Sequence, residues 1–184
     1  MSQTIDQVLD GFITSLLSKA DAAGRPLQVT YEAGWESPCH SHPATDGEQV
    51  AWRPVRQTQP GSFVEVEKAL ELKLNAQYCE FFRCYYSENL PATAAQGDCE
   101  LLQVINPQDF ERLQENLIGH VLMKRRLKQP ETLFFGLTSD DELILTIDNQ
   151  TGEVLLERVG KKATEVLAPD LISFIQSLSP RLPE

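Results

Sequence analysis

A chain of 184 residues and 20.7 kDa with 41% hydrophobic residues has the size of one domain with a substantial core, spanning 1–184. Its 16 Lys and Arg against 27 Asp and Glu leave a formal net charge of -11, which argues against nucleic-acid binding, where phosphates demand clustered positive charge, and favours a basic partner. No run approaches the roughly 18 apolar residues of a membrane span, and Met1 to Asp10 lacks the basic start and apolar run of a signal peptide; the expectation is a cytosolic protein.

In chain order, Thr4 to Ala23 reads as an amphipathic helix. Ile5, Val8, Leu9, Phe12, Ile13, Leu16, Leu17 and Ala20 follow helical spacing, Ser2 or Thr4 offers a cap, and Gly24 ends it. Val29 to Gly61 is irregular, with Gln49 to Arg53 as a short edge strand before Pro54. Phe63 to Leu74 has helical register, Gln77 to Tyr86 reads as a short aromatic helix, and Gly97-Asp98 turns the chain into a strand over Cys99 to Ile105.

Every local signal for a helix agrees from Asn106 to Pro130. Asn106 caps, Pro107 suits the first turn, Asp109 and Glu111 meet the positive end of the dipole, and Lys124, Arg125, Arg126 and Lys128 form a solvated basic end. Phe110, Leu113, Leu117 and Val121 make the core stripe. Gly119 costs roughly 1 kcal/mol against Ala in mid-helix, which predicts a close approach to its backbone. Asn116 and His120, one turn apart, flank the stripe and read as boundary residues.

Thr132 to Thr138, Glu142 to Asp148 and Glu153 to Val159 are strand-like and joined by short turns, which predicts an antiparallel meander. Pro169 and Asp170 open a last helix with Leu171, Ile172, Ile175 and Leu178 inward, and Pro180 and Pro183 mark a frayed tail over 179–184. The sum is a mixed α/β (α+β) domain, an antiparallel-rich sheet with helices packed against it.

Chemistry is sparse in the sequence. Cys39, His40 and His42 are the best enzymatic or metal-binding candidate, but they are neighbours in sequence and lack further ligands at a zinc spacing. There is no phosphate-binding loop, nucleophile elbow or cofactor fingerprint. The reading is a binding protein without catalytic residues, metal or cofactor.

The run from Gly97 to Leu137, GDCELLQVINPQDFERLQENLIGHVLMKRRLKQPETLFFGL, resembles the SecY-interacting Syd family of gamma-proteobacteria, most specifically in ENLIGH over Glu115 to His120 and in KQPETLF. Ser37 to Cys39, Trp52-Arg53-Pro54 and Gly152-Glu153-Val154 extend the likeness across the chain. The resemblance implies a regulator or quality-control factor attached to the cytoplasmic face of the inner membrane only through SecY, the channel subunit of the translocase. It also implies kinship with SMI1/KNR4-like (SUKH) domains, hence the alternative of an immunity-like module against another basic protein. Under the family reading, Asn116 and His120 are motif positions, and Glu65, Glu71, Asp98, Glu100 and Glu115 are the expected partner-binding acids, with Gly119 admitting the partner. From Phe63 to Met123 ten acidic residues face four basic ones, so the middle of the chain holds much of the charge.

Overall fold

The two long helices begin where the sequence supplies caps. The computed structural model describes residues 2–183, and in it Thr4 Oγ1 accepts the Gln7 N–H at 3.2 Å while Gln7 Oε1 accepts the Thr4 N–H at 3.0 Å. This reciprocal cap opens α1 (Ile5–Ala23). Gly24, at φ 63, closes it in the left-handed region that costs glycine least. Helix α1 buries Ile5, Val8, Leu9, Phe12, Ile13, Leu16 and Ala20, the face expected from spacing.

The irregular stretch that follows is pinned by two small ladders. Strand β1 (Gln28–Thr30) pairs antiparallel with β2 (Gln49–Ala51), and β3 (Val55–Arg56) pairs with β4 (Tyr85–Tyr86). Between them, α2 (Val64–Leu70) stops short of the expected Leu74, because Glu71 turns to φ 48 and its N–H closes on Glu67 and Lys68 carbonyls. Likewise α3 (Ala76–Phe81) covers only the first part of the aromatic segment read as one helix; Tyr85 and Tyr86 leave it to join β3.

The main sheet is seven-stranded and antiparallel throughout, in the order β10 (Glu165–Ala168), β9 (Val154–Arg158), β8 (Leu143–Asp148), β7 (Thr132–Thr138), β6 (Gly97–Leu101), β5 (Leu90–Ala94), β11 (Ser179–Pro180). The expected meander is its centre: β7 (Thr132–Thr138), β8 (Leu143–Asp148) and β9 (Val154–Arg158). Strand β6 (Gly97–Leu101) lies earlier than the expected Cys99 to Ile105, and residues 102–105 leave the sheet to lead into α4 (Pro107–Arg126). Strand β5 (Leu90–Ala94) escapes sequence reading because Pro91 cannot donate to a ladder; on the outer side its carbonyl instead accepts the Arg181 N–H at 3.2 Å. Strand β10 (Glu165–Ala168) leads into α5 (Leu171–Gln176). The tail expected to fray is held at its start by β11 (Ser179–Pro180), which pairs with Thr93 and Ala92 of β5; Glu184 lies outside the described residues.

Alternation along β7 assigns the layers. Phe134 meets the His120 ring of α4 at 5.5 Å, whereas Phe135 meets Phe81 of α3 at 6.0 Å and Phe174 of α5 at 5.8 Å. The sheet therefore carries α4 on one face and the α1, α3 and α5 layer on the other. Where Gly136 sits, an added Cβ would lie 2.7 Å from Leu145 Cδ1 and 3.1 Å from the Glu100 carbonyl, so only glycine lets β6, β7 and β8 close. Phe110, Leu113, Leu117 and Val121 of α4 are all buried. At about 1.5–3 kcal/mol per buried side chain, that stripe easily outweighs the roughly 1 kcal/mol cost of Gly119.

Candidate functional site

The N-terminal half of α4 forms one wall of a cleft of about 350 Å³. Asn106 Oδ1 accepts the Asp109 N–H at 2.8 Å, and its Nδ2 donates to the Glu36 carbonyl at 2.8 Å, so the helix cap also ties down the loop after β1. Asp109, read from sequence as a dipole residue, is buried. Its carboxylate accepts the Ile105 N–H at 2.9 Å and the Arg112 guanidinium at 2.7 Å. Arg112 in turn lies over the Trp35 ring at 4.9 Å.

Glu32 and His40 from that loop, Glu88 and Asn89 from the β4–β5 connection, and Gln103 before α4 complete the polar lining; Val29, Leu102, Leu113 and Phe134 supply apolar wall. Three carboxylates thus line a space with one guanidinium and one imidazole, and the guanidinium is already paired with Asp109. Gln103 lines the cleft, and its Oε1 is buried with no hydrogen-bond partner among the described residues. The arrangement suits a basic or amide-bearing segment.

Of the residues singled out from sequence, Asn116 lines this cleft. Glu115 is exposed beside it on α4, and Glu100 touches the lining through Asn89 Nδ2 at 3.5 Å. Glu65 and Glu71 lie on α2 and its exposed end, Glu65 within 3.5 Å of Lys68. Asp98 lines a separate groove of about 110 Å³ and is bonded by Thr93 at 2.9 Å. Gly119 corrects an expectation: among the described residues nothing beyond its own helix turn lies within 4 Å of the Cβ it would carry, and it stands on the exposed face. The contributions of Glu32 and Glu88 were not legible, since neither lies in a segment with a clear pattern, and Gln103 fell within the stretch read as a strand.

His120 belongs to a different environment. Thr132 Oγ1 donates to Glu157 Oε1 at 2.9 Å, so the 3.0 Å contact from His120 Nε2 is a donation to that hydroxyl, which fixes the imidazole tautomer. Lys124 corrects the reading of a wholly solvated basic end. It is fully buried, 3.4 Å from the equally buried Glu157, and donates to Gln129 at 2.6 Å and to the Lys161 carbonyl at 3.1 Å. Glu157 Oε2 stands 3.7 Å from His120 Nε2, close enough to favour a charged imidazole. Burial, with Lys124 adding to it, wins and pushes the His120 pKa down to about 4, because Lys124 already balances Glu157.

The Cys39 region gains a member and loses one. Cys39, His40 and Glu88 bring one ligand atom each within 4.8 Å of one another, whereas His42 is exposed and its Nδ1 faces the Pro43 carbonyl at 2.9 Å. Burial pushes the Cys39 thiol up to about 11 against the opposing Ser37 hydroxyl contact, which leaves it protonated near neutrality and a poor nucleophile.

Comparison with known proteins follows the same lines. Residues 3–180 match the family model described as Syd protein (SUKH-2). Protein Syd of Alteromonas mediterranea is 55% identical over 180 residues, covering 98% of each chain. Protein Syd of Pseudoalteromonas atlantica is 40% identical over 182 residues, again covering 98% of each. Protein Syd of Shewanella frigidimarina is 39% identical over 176 residues, 95% of this chain and 82% of its own.

Proposed function

This chain belongs to the Syd family, and from that premise we propose that it is a non-enzymatic regulator or quality-control factor that docks on the cytoplasmic side of SecY. The observation that carries this reading is the cleft beside α4, where Glu32, Glu88 and the unpartnered Gln103 Oε1 sit between apolar walls. Cytoplasmic loops of membrane channels carry an excess of Lys and Arg. A chain of net charge -11 is steered toward them, and the cleft accepts a basic side chain together with its apolar stem. Glu115 and Glu100 extend the acidic field at its edge, and the exposed Gly119 leaves room for a partner on α4. Glu65, Glu71 and Asp98 supply the outer field. No helix among the described residues is long and apolar enough to cross a membrane, which agrees with peripheral attachment through SecY.

The test is co-sedimentation with membranes carrying overproduced SecY, against ordinary membranes, at low and high salt. Binding is expected to depend on SecY and to weaken with salt, because exposed charges are screened beyond about 8 Å at physiological ionic strength. Joint reversal of Glu32 and Glu115 to Lys is expected to weaken binding more than joint reversal of Glu65 and Glu71. Equal losses would move the contact away from the cleft. No binding even at low salt would sink the SecY reading and point to another basic protein, as for an immunity-like module.

A further inference from the structure

The docking role uses Glu88 as a cleft carboxylate but leaves its meeting with Cys39 and His40 unexplained. Both arms of this cluster are held by backbone. His40 forms a bridge with Trp52, and the Arg53 N–H donates to the Cys39 carbonyl at 2.9 Å. On the other arm, the Ser87 N–H donates to the Val104 carbonyl at 2.9 Å, fixing the residue before Glu88. The His40 side chain is 6% exposed, with Nε2 at 2.9 Å from Glu88 Oε2 and Nδ1 buried without a partner among the described residues. His40 also borders two cavities, the cleft and a neighbouring space of about 490 Å³, and Glu88 borders the first.

We propose that Cys39, His40 and Glu88 bind one zinc ion through a thiolate, an imidazole nitrogen and a carboxylate oxygen, with a fourth position open to the cavity. With zinc bonds of about 2.0–2.3 Å, tetrahedral ligand atoms lie roughly 3.3–3.7 Å apart, so the 2.9 Å contact of His40 with Glu88 opens slightly, and the three atoms, already within 4.8 Å of one another, adjust modestly to share one ion. The mixed sulfur, nitrogen and oxygen set selects zinc over magnesium or calcium, which prefer oxygen alone. On binding, the Cys39 S–H bond breaks, its proton passes to solvent and the sulfur lone pair forms the metal bond; no electron is transferred. The ion joins the loop after β1 to the β4–β5 connection, two walls that chain connectivity leaves far apart in sequence.

The full-length protein, stripped with a chelator, is titrated with zinc against a chromophoric competitor and separately loaded with cobalt(II). The expected result is one equivalent bound, a cobalt–thiolate charge-transfer band, and zinc protection of Cys39 from alkylation, located by mass spectrometry. Cys39→Ser and Glu88→Gln each lower zinc affinity by roughly tenfold or more, whereas His42→Ala leaves it unchanged. Absence of stoichiometric zinc, a cobalt spectrum without the thiolate band, or protection falling on Cys79, Cys84 or Cys99 overturns the site. If a variant does not fold, the cobalt spectrum and alkylation pattern of the unaltered chain decide the question alone.

Discussion

The two halves of α4 handle buried polarity in opposite ways. Toward the C-terminus, Lys124, Thr132 and Thr146 converge on Glu157 Oε1 beneath the helix, with His120 donating to Thr132, while Glu157 Oε2 is buried without a hydrogen-bond partner among the described residues and lies 3.7 Å from His120 Nε2. Toward the N-terminus, Asp109 and Arg112 pair with each other, but Gln103, which lines the cleft, has a buried Oε1 unmatched and Glu32 has no ion-pair partner among the described residues. One half holds helix to sheet around an interior charge pair; the other lines a cleft with Glu32, Glu88 and Gln103. Substitutions at the closed end are therefore expected to change stability, and those at the open end binding.

The largest effect is expected from Lys124→Met, which strands the buried Glu157 carboxylate and costs about 3–5 kcal/mol in urea denaturation. Adding Glu157→Leu is expected to restore most of that loss; a double variant as unstable as the single would show that packing, not the stranded charge, sets the cost. His120 provides the next test. Its folded pKa of about 4 lies below its ordinary value of 6.5. Stability linked to it is thus intact above pH 6.5 and is lost progressively as pH falls toward 4, by about 3 kcal/mol in all. His120→Gln is expected to flatten that slope, and an unchanged slope would assign acid sensitivity to other groups.

Two glycines refine the contrast at smaller magnitude. Gly136→Ala drives a methyl into Leu145 and the Glu100 carbonyl and is expected to cost about 1–3 kcal/mol. Gly119→Ala meets open space in mid-helix and is expected to stabilise by about 1 kcal/mol in thermal denaturation. A destabilised Gly119→Ala would mean that the helix surface is less open than described.

These elements also show what pattern can reveal. Helices α1 and α4 were legible because capping residues, spacing and stop signals agree, and the β7–β9 meander because its turns are short. Strand β5, between β6 and β11, was hidden by Pro91, whose missing donor argues against a strand, and β11 by a proline pair that suggests a loose end. The burial of Lys124 was hidden for another reason: a cation at a helix end already has an explanation in the dipole, and its true partner lies on β9. The cleft was legible at Asn116, at His40 under a metal-binding reading and at Asp109 under a dipole reading, and, through its neighbours, at Glu115 and Glu100. Its remaining carboxylates come from two segments that only the folded chain brings together.

The most direct test of the docking account places a photo-activated cross-linking residue at Asn116 in the cleft and, separately, at Glu65 on α2, with irradiation on SecY-containing membranes. The account predicts SecY adducts from position 116, diminished by Glu32→Lys and by high salt. Adducts from position 65 alone, with none from 116, would contradict it and move the contact surface off the cleft.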